Sequence, residues 1–222
     1  MIRIFCGYDK REAVGFHVFV ESLIRHTDSA VAIIPLIGEQ RDGTNAYTYA
    51  RFLVPYLCNF EGSAIFVDGS DMLLRTDIKQ LAKLANSQYA VQVVRHDYRT
   101  HHPRKYLGTT MESPNSDYPR KNWSSVMIWN CGYAANRWLT PKAIGDSEGA
   151  FLHRFGWLDS EEIGPLPVRW NALIGEQKAP DPHIAHFTLG IPAIDAYQES
   201  DFAEEWRAMA RLGQTAPERI NV

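Results

Sequence analysis

Two acids, Asp68 and Asp71, follow an apolar run, Ser-Ala-Ile-Phe-Val, that ends at Asp68. A run of this kind, rich in residues that favour β-structure, is typical of a strand buried inside a parallel sheet. An acid at the carboxyl end of such a strand points into the crevice where α/β folds bind ligands. Residues three apart in an extended chain face opposite sides, so both acids share one cation only if Gly69-Ser70 turns the backbone.

Carboxylate oxygens are the ligands that Mg²⁺ and Mn²⁺ prefer, and these ions keep positions open for a diphosphate. A cation placed there stabilises the charge that grows on a diphosphate leaving group. Alternatively, Asp68 and Asp71 cap a turn at Ser70 and the backbone that follows it. The spacing of the two acids alone favours neither interpretation.

The elements around these acids alternate between strand and helix, which predicts an α/β fold with a doubly wound half. The predicted strands cover residues 2–6, 32–37, 63–68 and 89–94, and the predicted helices cover 12–26, 48–57 and 77–86. Pro55 predicts a kink or an early stop in the second helix. A last helix is expected from Ser200 onwards.

The second half of the chain has a different composition, because ten of the 12 prolines lie beyond position 100 and all 6 tryptophans beyond position 120. No Gly/Ser-rich linker or internal repeat separates the halves. We therefore expect one domain over residues 1–222, with a nucleotide-binding half to about residue 95 and an acceptor-binding half from about residue 96 that includes the C-terminal helix.

Composition limits the possible partners and compartments. The net charge of the 222-residue chain is -3 and no run of Lys and Arg is present, so extended nucleic acid is not expected as a partner. The 3 cysteines form no CxxC pair, which favours a reducing cytoplasm over a disulfide framework. No apolar run is long enough to span a membrane, so any membrane contact is expected to be peripheral.

Four segments, in order, resemble glycosyltransferase family 8. They are Tyr-Ala-Arg-Phe-Leu-Val-Pro ending at Pro55, the strand and acids around Asp68, Leu-Pro-Val-Arg-Trp-Asn ending at Asn171, and His-Phe-Thr-Leu-Gly ending at Gly190. They are similar to that family's ARLLLP helix, D-x-D signature, LPxRWN and HFxG. The resemblance implies a GT-A fold, with a Rossmann-like mixed sheet flanked by helices. It also implies a Mn²⁺ (or Mg²⁺) cofactor, a nucleotide-diphosphate hexose donor (UDP favoured), a saccharide or glycolipid acceptor, and retention of configuration.

The resemblance assigns roles to individual residues. Asp68 and Asp71 match the acids that hold metal and ribose, and His186 matches the third metal ligand. Arg51 matches a helix arginine that reaches the donor, although a salt bridge along the helix is an alternative. The loop with Tyr8 and Asp9 matches the place where the family cradles the nucleotide, and an Asx turn at Asp9 is the alternative.

The chain also departs from the family pattern. Two residues, where the family has one, separate Asp68 from Asp71, which affects the geometry of the metal site. Where the family has DQDxLN this chain has Asp-Ser-Glu-Gly-Ala-Phe from position 146, so Asp146 is the candidate for orienting donor or acceptor hydroxyls and Ser147 replaces the glutamine. A front-face displacement, which needs no enzymic nucleophile, agrees with that replacement.

Residues 95–121 are locally basic and contain only 3 acids. This segment is a candidate lid over the diphosphate, with Lys105 near the donor sugar, or a contact for an anionic acceptor. Alternatively it is a solvated loop.

Three other functions remain possible on sequence alone. A nucleotidyltransferase of this fold would need a Gly-rich phosphate loop followed by lysine, which is absent near the first strand. A non-catalytic nucleotide-sugar or glycan-binding protein would use the acids only as caps. A metal hydrolase built on His183 and His186 is disfavoured because no glutamate lies between them.

Overall fold

Six strands of the chain form the central sheet of the structure, a computed structural model that describes residues 1–38, 41, 45–178 and 180–212. The sheet order is β2-β1-β3-β8-β5-β9. The strands of the described chain are β1 Ile2–Gly7, β2 Val31–Leu36, β3 Ser63–Val67, β4 Met72–Leu74, β5 Val91–Val93, β6 Arg104–Lys105, β7 Ser113–Pro114, β8 Val126–Asn130, β9 Ile163–Pro165, β10 Ala172–Leu173 and β11 Ile184–His186.

The sheet is mixed, as the family resemblance implies. β1 lies parallel to β2 and β3, whereas β8 is antiparallel to both β3 and β5. The expectation that β3 has parallel neighbours is therefore correct on the β1 side and wrong on the β8 side. An apolar run indicates that both faces of a strand are buried, but it does not specify the direction of the neighbouring strands, because a strand with an antiparallel neighbour can be buried on both faces as well.

The helices are α1 Ala13–His26, α2 Val54–Leu57, α3 Lys79–Ala82, α4 Pro141–Asp146, α5 Gly149–His153 and α6 Ala203–Leu212. The helix predicted over residues 48–57 is a 3₁₀ segment, Ala50–Leu53, followed by the single turn of α2. Pro55 lies in the first turn of α2, where its missing N–H removes no intrahelical hydrogen bond. The helix predicted over 77–86 is likewise reduced to one turn, α3.

Both faces of the central sheet are covered, so that these elements form one domain. Ile4 of β1 packs with Leu23 of α1 on one face. Phe5, the next residue, packs with Phe52 and Trp129 on the other face, as the alternation of a strand requires. No helix in the described ranges is long and apolar enough to cross a membrane.

Candidate active site

The predicted turn between the two acids is present. Gly69 has a φ of 67°, in the left-handed region that glycine enters without a steric penalty. Ser70 is fully buried, and its Oγ donates a hydrogen bond to the carbonyl of Gly7 (3.1 Å) while the N–H of Asp9 donates to that Oγ (3.4 Å). The turn is thus attached to the end of β1.

The three predicted metal ligands lie together. One ligand atom each from Asp68, Asp71 and His186 fall within 4.8 Å of one another, and the residues are 6%, 3% and 1% exposed. β11 pairs antiparallel with β4, which places His186 opposite Met72, the residue after Asp71. The extra residue between the acids is accommodated by the turn, which directs both carboxylates toward the same point.

The geometry does not support the alternative interpretation, in which Asp68 and Asp71 only cap a turn. Asp68 Oδ1 pairs with Arg51 Nη1 at 2.7 Å, and Asp71 Oδ2 lies 3.2 Å from His186 Nε2. The side chain of Ser70 is directed to the end of β1 instead. Both carboxylates therefore face the ligand cluster and its neighbours.

The contacts of His186 suit a cation. The amide nitrogen of Asn171 donates to the carbonyl of Asn122 (3.0 Å), so the amide oxygen of Asn171 faces His186 Nδ1 at 2.8 Å. Nδ1 then donates its proton to this oxygen, and Nε2 is the ring nitrogen that faces the Asp71 carboxylate. A divalent cation between Nε2 and the carboxylate would be bound by both groups. Asp71 Oδ1 has no hydrogen-bond partner among the described residues, so it is also suited to a cation.

The electrostatics of the two acids differ. Burial, together with the nearby Asp71, raises the pKa of Asp68, although Arg51 acts in the opposite direction. Burial alone would raise the pKa of Asp71, but His186, followed by Lys105 and Arg51, brings that pKa below its ordinary value. Asp71 is therefore the more firmly ionised of the two and the stronger candidate for a direct metal ligand.

The cluster opens into a cavity of about 370 Å³. The basic segment 95–121 supplies one wall, which includes Lys105 and Lys121, and Arg51 and Arg154 also line the cavity. Burial lowers the pKa of Lys105 despite the nearby acids Asp71 and Asp68. The cavity thus combines a carboxylate and imidazole cluster with several cationic side chains, which is a suitable environment for a diphosphate.

Of the predicted donor-binding residues, Arg51 and Lys105 lie on the cavity wall, whereas Tyr8 and Asp9 are not among the residues that line it. The carboxylate of Asp9 accepts hydrogen bonds from the N–H of Arg11 (2.9 Å) and of Ala46 (3.0 Å). These contacts are those of a residue that shapes the loop after β1, and they include the Asx-type bond considered above. Tyr8 packs edge-on against Phe16.

Asp146 requires a correction. It is the last residue of α4, its side chain is 66% exposed, and it pairs with Lys142 on the surface. The residues of this region that line the cavity lie further along, at Gly149, Ala150 and His153 of α5. The geometry therefore does not support the expectation that Asp146 orients substrate hydroxyls. The chain turns between α4 and α5, so the residues that line the cavity begin three positions after Asp146, at Gly149.

Several site residues were not predicted individually. Tyr106 donates a hydrogen bond to Asp71 Oδ2 (3.4 Å), and Asn171 orients His186. Asn171 ends the Leu-Pro-Val-Arg-Trp-Asn segment that resembles the family, but that resemblance did not predict its hydrogen bond with His186. Glu12 is 2% exposed and has no hydrogen-bond partner among the described residues, and burial, then Asp71 and Asp9, raise its pKa well above the ordinary value. No sequence pattern marked Glu12.

Trp129 and Trp170 belong to the hydrophobic core and not to the cavity wall. Trp129 and Trp170 are 0% and 3% exposed, and Trp123 donates its indole N–H to the carbonyl of His96 (2.9 Å). His183 packs against Trp170 with ring centroids 4.6 Å apart. It therefore lies outside the ligand cluster, and the structure does not support a hydrolase site that joins His183 to His186.

The fold and the cluster together define a GT-A glycosyltransferase fold. A glycosyltransferase GlyE of Streptococcus pneumoniae TIGR4 superimposes with a TM-score of 0.61 over 94% of this chain and 60% of its own, at 15% identity. The galactosyltransferase LgtC, solved with donor and acceptor sugar analogues, matches with a TM-score of 0.58 over 98% of both chains, at 14% identity. A bifunctional glycosyltransferase, WbbM, matches with a TM-score of 0.55 over 94% of this chain and 51% of its own, at 14% identity. This chain spans 60% of the GlyE chain and 51% of the WbbM chain, and likenesses at this identity establish the fold.

Among curated proteins, Protein CDI of Arabidopsis thaliana is 37% identical over 223 residues, which cover 92% of this chain and 84% of the relative. The chain belongs to the same family as Protein CDI. No family model matches the chain.

Proposed function

We propose that this protein is a cation-dependent glycosyltransferase that moves a hexose from a nucleotide-diphosphate sugar, with a UDP-sugar favoured, to a hydroxyl of a saccharide or glycolipid. The observation that carries the proposal is the buried cluster of Asp68, Asp71 and His186 at the edge of a cavity with cationic walls. Carboxylates held together by burial need a counter-charge, and a diphosphate needs a cation that leaves coordination positions open.

In this proposal Asp71 and His186 ligate Mn²⁺ or Mg²⁺ directly, and Asp68, paired with Arg51, completes the cluster. The cation, when bound, stabilises the negative charge on the departing nucleoside diphosphate. Lys105 adds positive charge to the cavity wall, and Tyr106 donates a hydrogen bond to the carboxylate of Asp71. Each of these residues is buried or half-buried, so their interactions with an anionic ligand are weakly screened by water.

The remaining parts of the proposal rest on the sequence resemblance. We place the nucleotide beside Tyr8, with Asp9 shaping the loop, and we propose retention of the anomeric configuration. The front half of the chain would hold the donor and the back half the acceptor. Cys6, Cys58 and Cys131 are unpaired and buried, which is compatible with the cytoplasm as the proposed location.

The test is a thermal-shift screen with UDP-, GDP- and CDP-sugars, with Mn²⁺ and with a chelator. A donor at about 100 times its Kd stabilises the folded state by roughly 2.7 kcal/mol, which corresponds to a shift of about 5 to 10 °C for a chain of this size. We expect this shift to disappear with chelator and in Asp71→Asn, and to persist in the control Asp28→Asn, which changes an exposed carboxylate.

Two product-release assays, run beside the thermal-shift screen, separate the alternatives. Stabilisation without release of nucleoside diphosphate would favour a non-catalytic sugar-nucleotide-binding protein, and release of pyrophosphate from a nucleoside triphosphate would favour a nucleotidyltransferase. Indifference of the unmodified protein to every nucleotide sugar, with and without Mn²⁺, would refute the proposed function.

A further inference from the structure

The cavity carries more positive charge than the proposed donor requires. Asp68 is neutralised by its arginine partner. The bound cation, Asp71 and Lys105 together then carry two net positive charges, which match the two negative charges of a nucleotide-diphosphate sugar. Lys121 and Arg154 also line the cavity, and neither is needed for that balance. These two cations are therefore available for a second anionic group.

Lys121 is a buried ammonium whose hydrogen bonds are incomplete. Its side chain is 8% exposed, and Nζ donates to the neutral amide oxygen of Asn115 (2.7 Å), the one hydrogen-bond acceptor that it contacts among the described residues. The carboxylate of Asp117 lies 3.9 Å away, beyond hydrogen-bond distance, and is 43% exposed. The ring of Tyr98 has its centroid 5.6 Å from Nζ. Because an ammonium has three donors, Nζ can still donate to an anion in the cavity.

A polar network behind the wall fixes the position of this ammonium. Nδ2 of Asn115 donates to Thr100 Oγ1 (2.9 Å) and to Glu176 Oε1 (3.0 Å). The hydroxyl of Thr100 donates to the same carboxylate oxygen (2.7 Å). These bonds orient the amide of Asn115, so that its oxygen is the atom that holds Lys121. A cation positioned in this way is prepared for a ligand without further ordering.

The turn that carries Lys121 is attached to the end of α5. The residues on either side of it, Arg120 and Asn122, have φ values of 60° and 61°, in the left-handed region that side chains enter at a cost. The guanidinium of Arg120 donates to the carbonyl of Arg154 and to Ser160 Oγ (3.0 Å). Lys121 and Arg154 thus extend into the cavity from two segments that are joined to each other.

Lys121 and Lys105 lie in different charge environments. Burial lowers the pKa of both lysines. The first acid to act against burial is Asp71, a proposed metal ligand, for Lys105, whereas it is Glu176, followed by Asp117, for Lys121. Lys105 therefore belongs to the metal and diphosphate side of the cavity, and Lys121 belongs to the side formed by the back half of the chain.

We infer that the acceptor is an acidic saccharide whose carboxylate or phosphate group is bound by Lys121 and Arg154, an inference that rests on the proposed function. An ammonium with free donors and a guanidinium both form charge-assisted hydrogen bonds with either anion. Lys121 is buried and fixes the place of the anion, whereas Arg154 is exposed and adds attraction at the wall. A neutral sugar at this position would leave the buried ammonium without a counter-charge, which is the basis of the selectivity.

The experiment measures the binding of acceptor probes to protein saturated with UDP and Mn²⁺, a complex in which no transfer can occur. The probes are methyl glucuronide, methyl glucoside 6-phosphate and methyl glucoside, which differ at carbon 6. The variants are Lys121→Gln and Arg154→Gln, and the control is Lys142→Gln, which removes a lysine that is 85% exposed on α4. Thermal shifts give the affinities, and transfer from UDP-glucose gives kcat and KM.

We expect both acidic probes to bind the unmodified protein at least about tenfold more tightly than methyl glucoside. Lys121→Gln should reduce this preference to about twofold or less, and Arg154→Gln should reduce it to an intermediate value. In transfer, Lys121→Gln should raise KM for the acidic probes with kcat nearly unchanged, because it removes binding that is equal in the ground and transition states. Both variants should keep the Mn²⁺-dependent shift with UDP, and Lys142→Gln should match the unmodified protein.

The possible failures are distinguishable. If UDP-glucose and UDP-galactose do not stabilise the unmodified protein in the presence of Mn²⁺, the proposed function fails for these donors and the inference falls with it. If donor binding is normal but the acidic probes bind no better than methyl glucoside, or their advantage survives in both variants, the inference alone is overturned. A Lys121-dependent preference for UDP-glucuronate over UDP-glucose would also overturn it, because the anion would then belong to the donor.

A test of folding accompanies these measurements. Circular dichroism compares each variant with the unmodified protein, since Lys121 is part of a buried network. Arg154 has an exposed side chain, so its replacement tests the inference even where Lys121→Gln does not fold.

Discussion

Gly15 lies where α1 passes the turn that carries the two acids, and its replacement by alanine is a stringent test of how the fold positions the site. A Cβ atom at Gly15 would lie 1.8 Å from the carbonyl oxygen of Ser70. Ordinary contact begins at 3.4 Å, so helix and turn must separate by about 1.6 Å. The obstacle is backbone on both sides, so no side-chain rotation relieves it. Because Ser70 stands between Asp68 and Asp71, the separation moves the proposed metal ligands.

The expected magnitude has two parts. Overpacking of a close contact costs roughly 1 to 3 kcal/mol of unfolding free energy. Misplacement of a reacting group by about 1 Å costs on the order of 100-fold in rate. We therefore expect Gly15→Ala to fold, to melt at a lower temperature, to bind Mn²⁺ at least about tenfold more weakly and to release UDP about 100-fold more slowly.

The assay is a Mn²⁺ titration followed by electron paramagnetic resonance, with circular dichroism as the check on folding. Gly145→Ala is the matched control, because Gly145 also lies in a helix but an added Cβ meets nothing within 4 Å. The control should be neutral or more stable by up to about 1 kcal/mol, since alanine is the better helix former. Equal Mn²⁺ affinity and melting temperature in Gly15→Ala and the unmodified protein would refute the argument that α1 fixes the turn.

Two further predictions concern charge. Arg51→Met leaves the buried carboxylate of Asp68 without its ion pair and should lower the free energy of unfolding in urea by about 3 to 5 kcal/mol. Adding Asp68→Asn to that variant should recover much of the loss. Equal destabilisation in the single and double variants would contradict a charge effect. Burial would raise the pKa of Asp9, but hydrogen bonds from Arg11 and Ala46 lower it from 3.8 to about 2, so its stabilisation is complete above the ordinary value and is lost as pH falls through about 2. Between about pH 6 and about pH 2, the free energy of unfolding in urea should accordingly fall less for Asp9→Asn than for the unmodified protein. Equal falls in the two proteins would show that Asp9 does not carry this pH dependence.

Parts of the site were predictable because local patterns encode them. An apolar run that ends on an acid identifies β3 and Asp68 whether its neighbours are parallel or antiparallel, and Gly69 provides the turn that brings Asp71 round. His186 required the family resemblance, since its place depends on β11 pairing with β4 across more than a hundred residues of chain, which no local pattern specifies.

Other parts depend on tertiary packing and were not predictable in this way. The motif that suggests a substrate-orienting role for Asp146 extends over two short helices, α4 and α5. Tertiary packing, and not helical periodicity, decides which of their residues face the cavity. Ser124 Oγ lies 2.7 Å from His153 Nδ1, a contact that joins the 3₁₀ turn Trp123–Ser125 to the end of α5 across 29 residues of sequence and that no local pattern specifies. Glu12 is buried although it ends a polar stretch, Lys10–Glu12, which carries no apolar pattern to predict burial.

The pairing of β11 with β4 has a consequence for the order in which the site is assembled. Asp71 and His186 are 115 residues apart in sequence, so the two halves of the ligand cluster leave the ribosome at well-separated times. The strands that present the acids are available early, whereas the imidazole arrives only after most of the chain has been made. Binding of a cation by this cluster is therefore expected late in folding, because it requires the segment that carries Asp71 to have paired with the segment that carries His186.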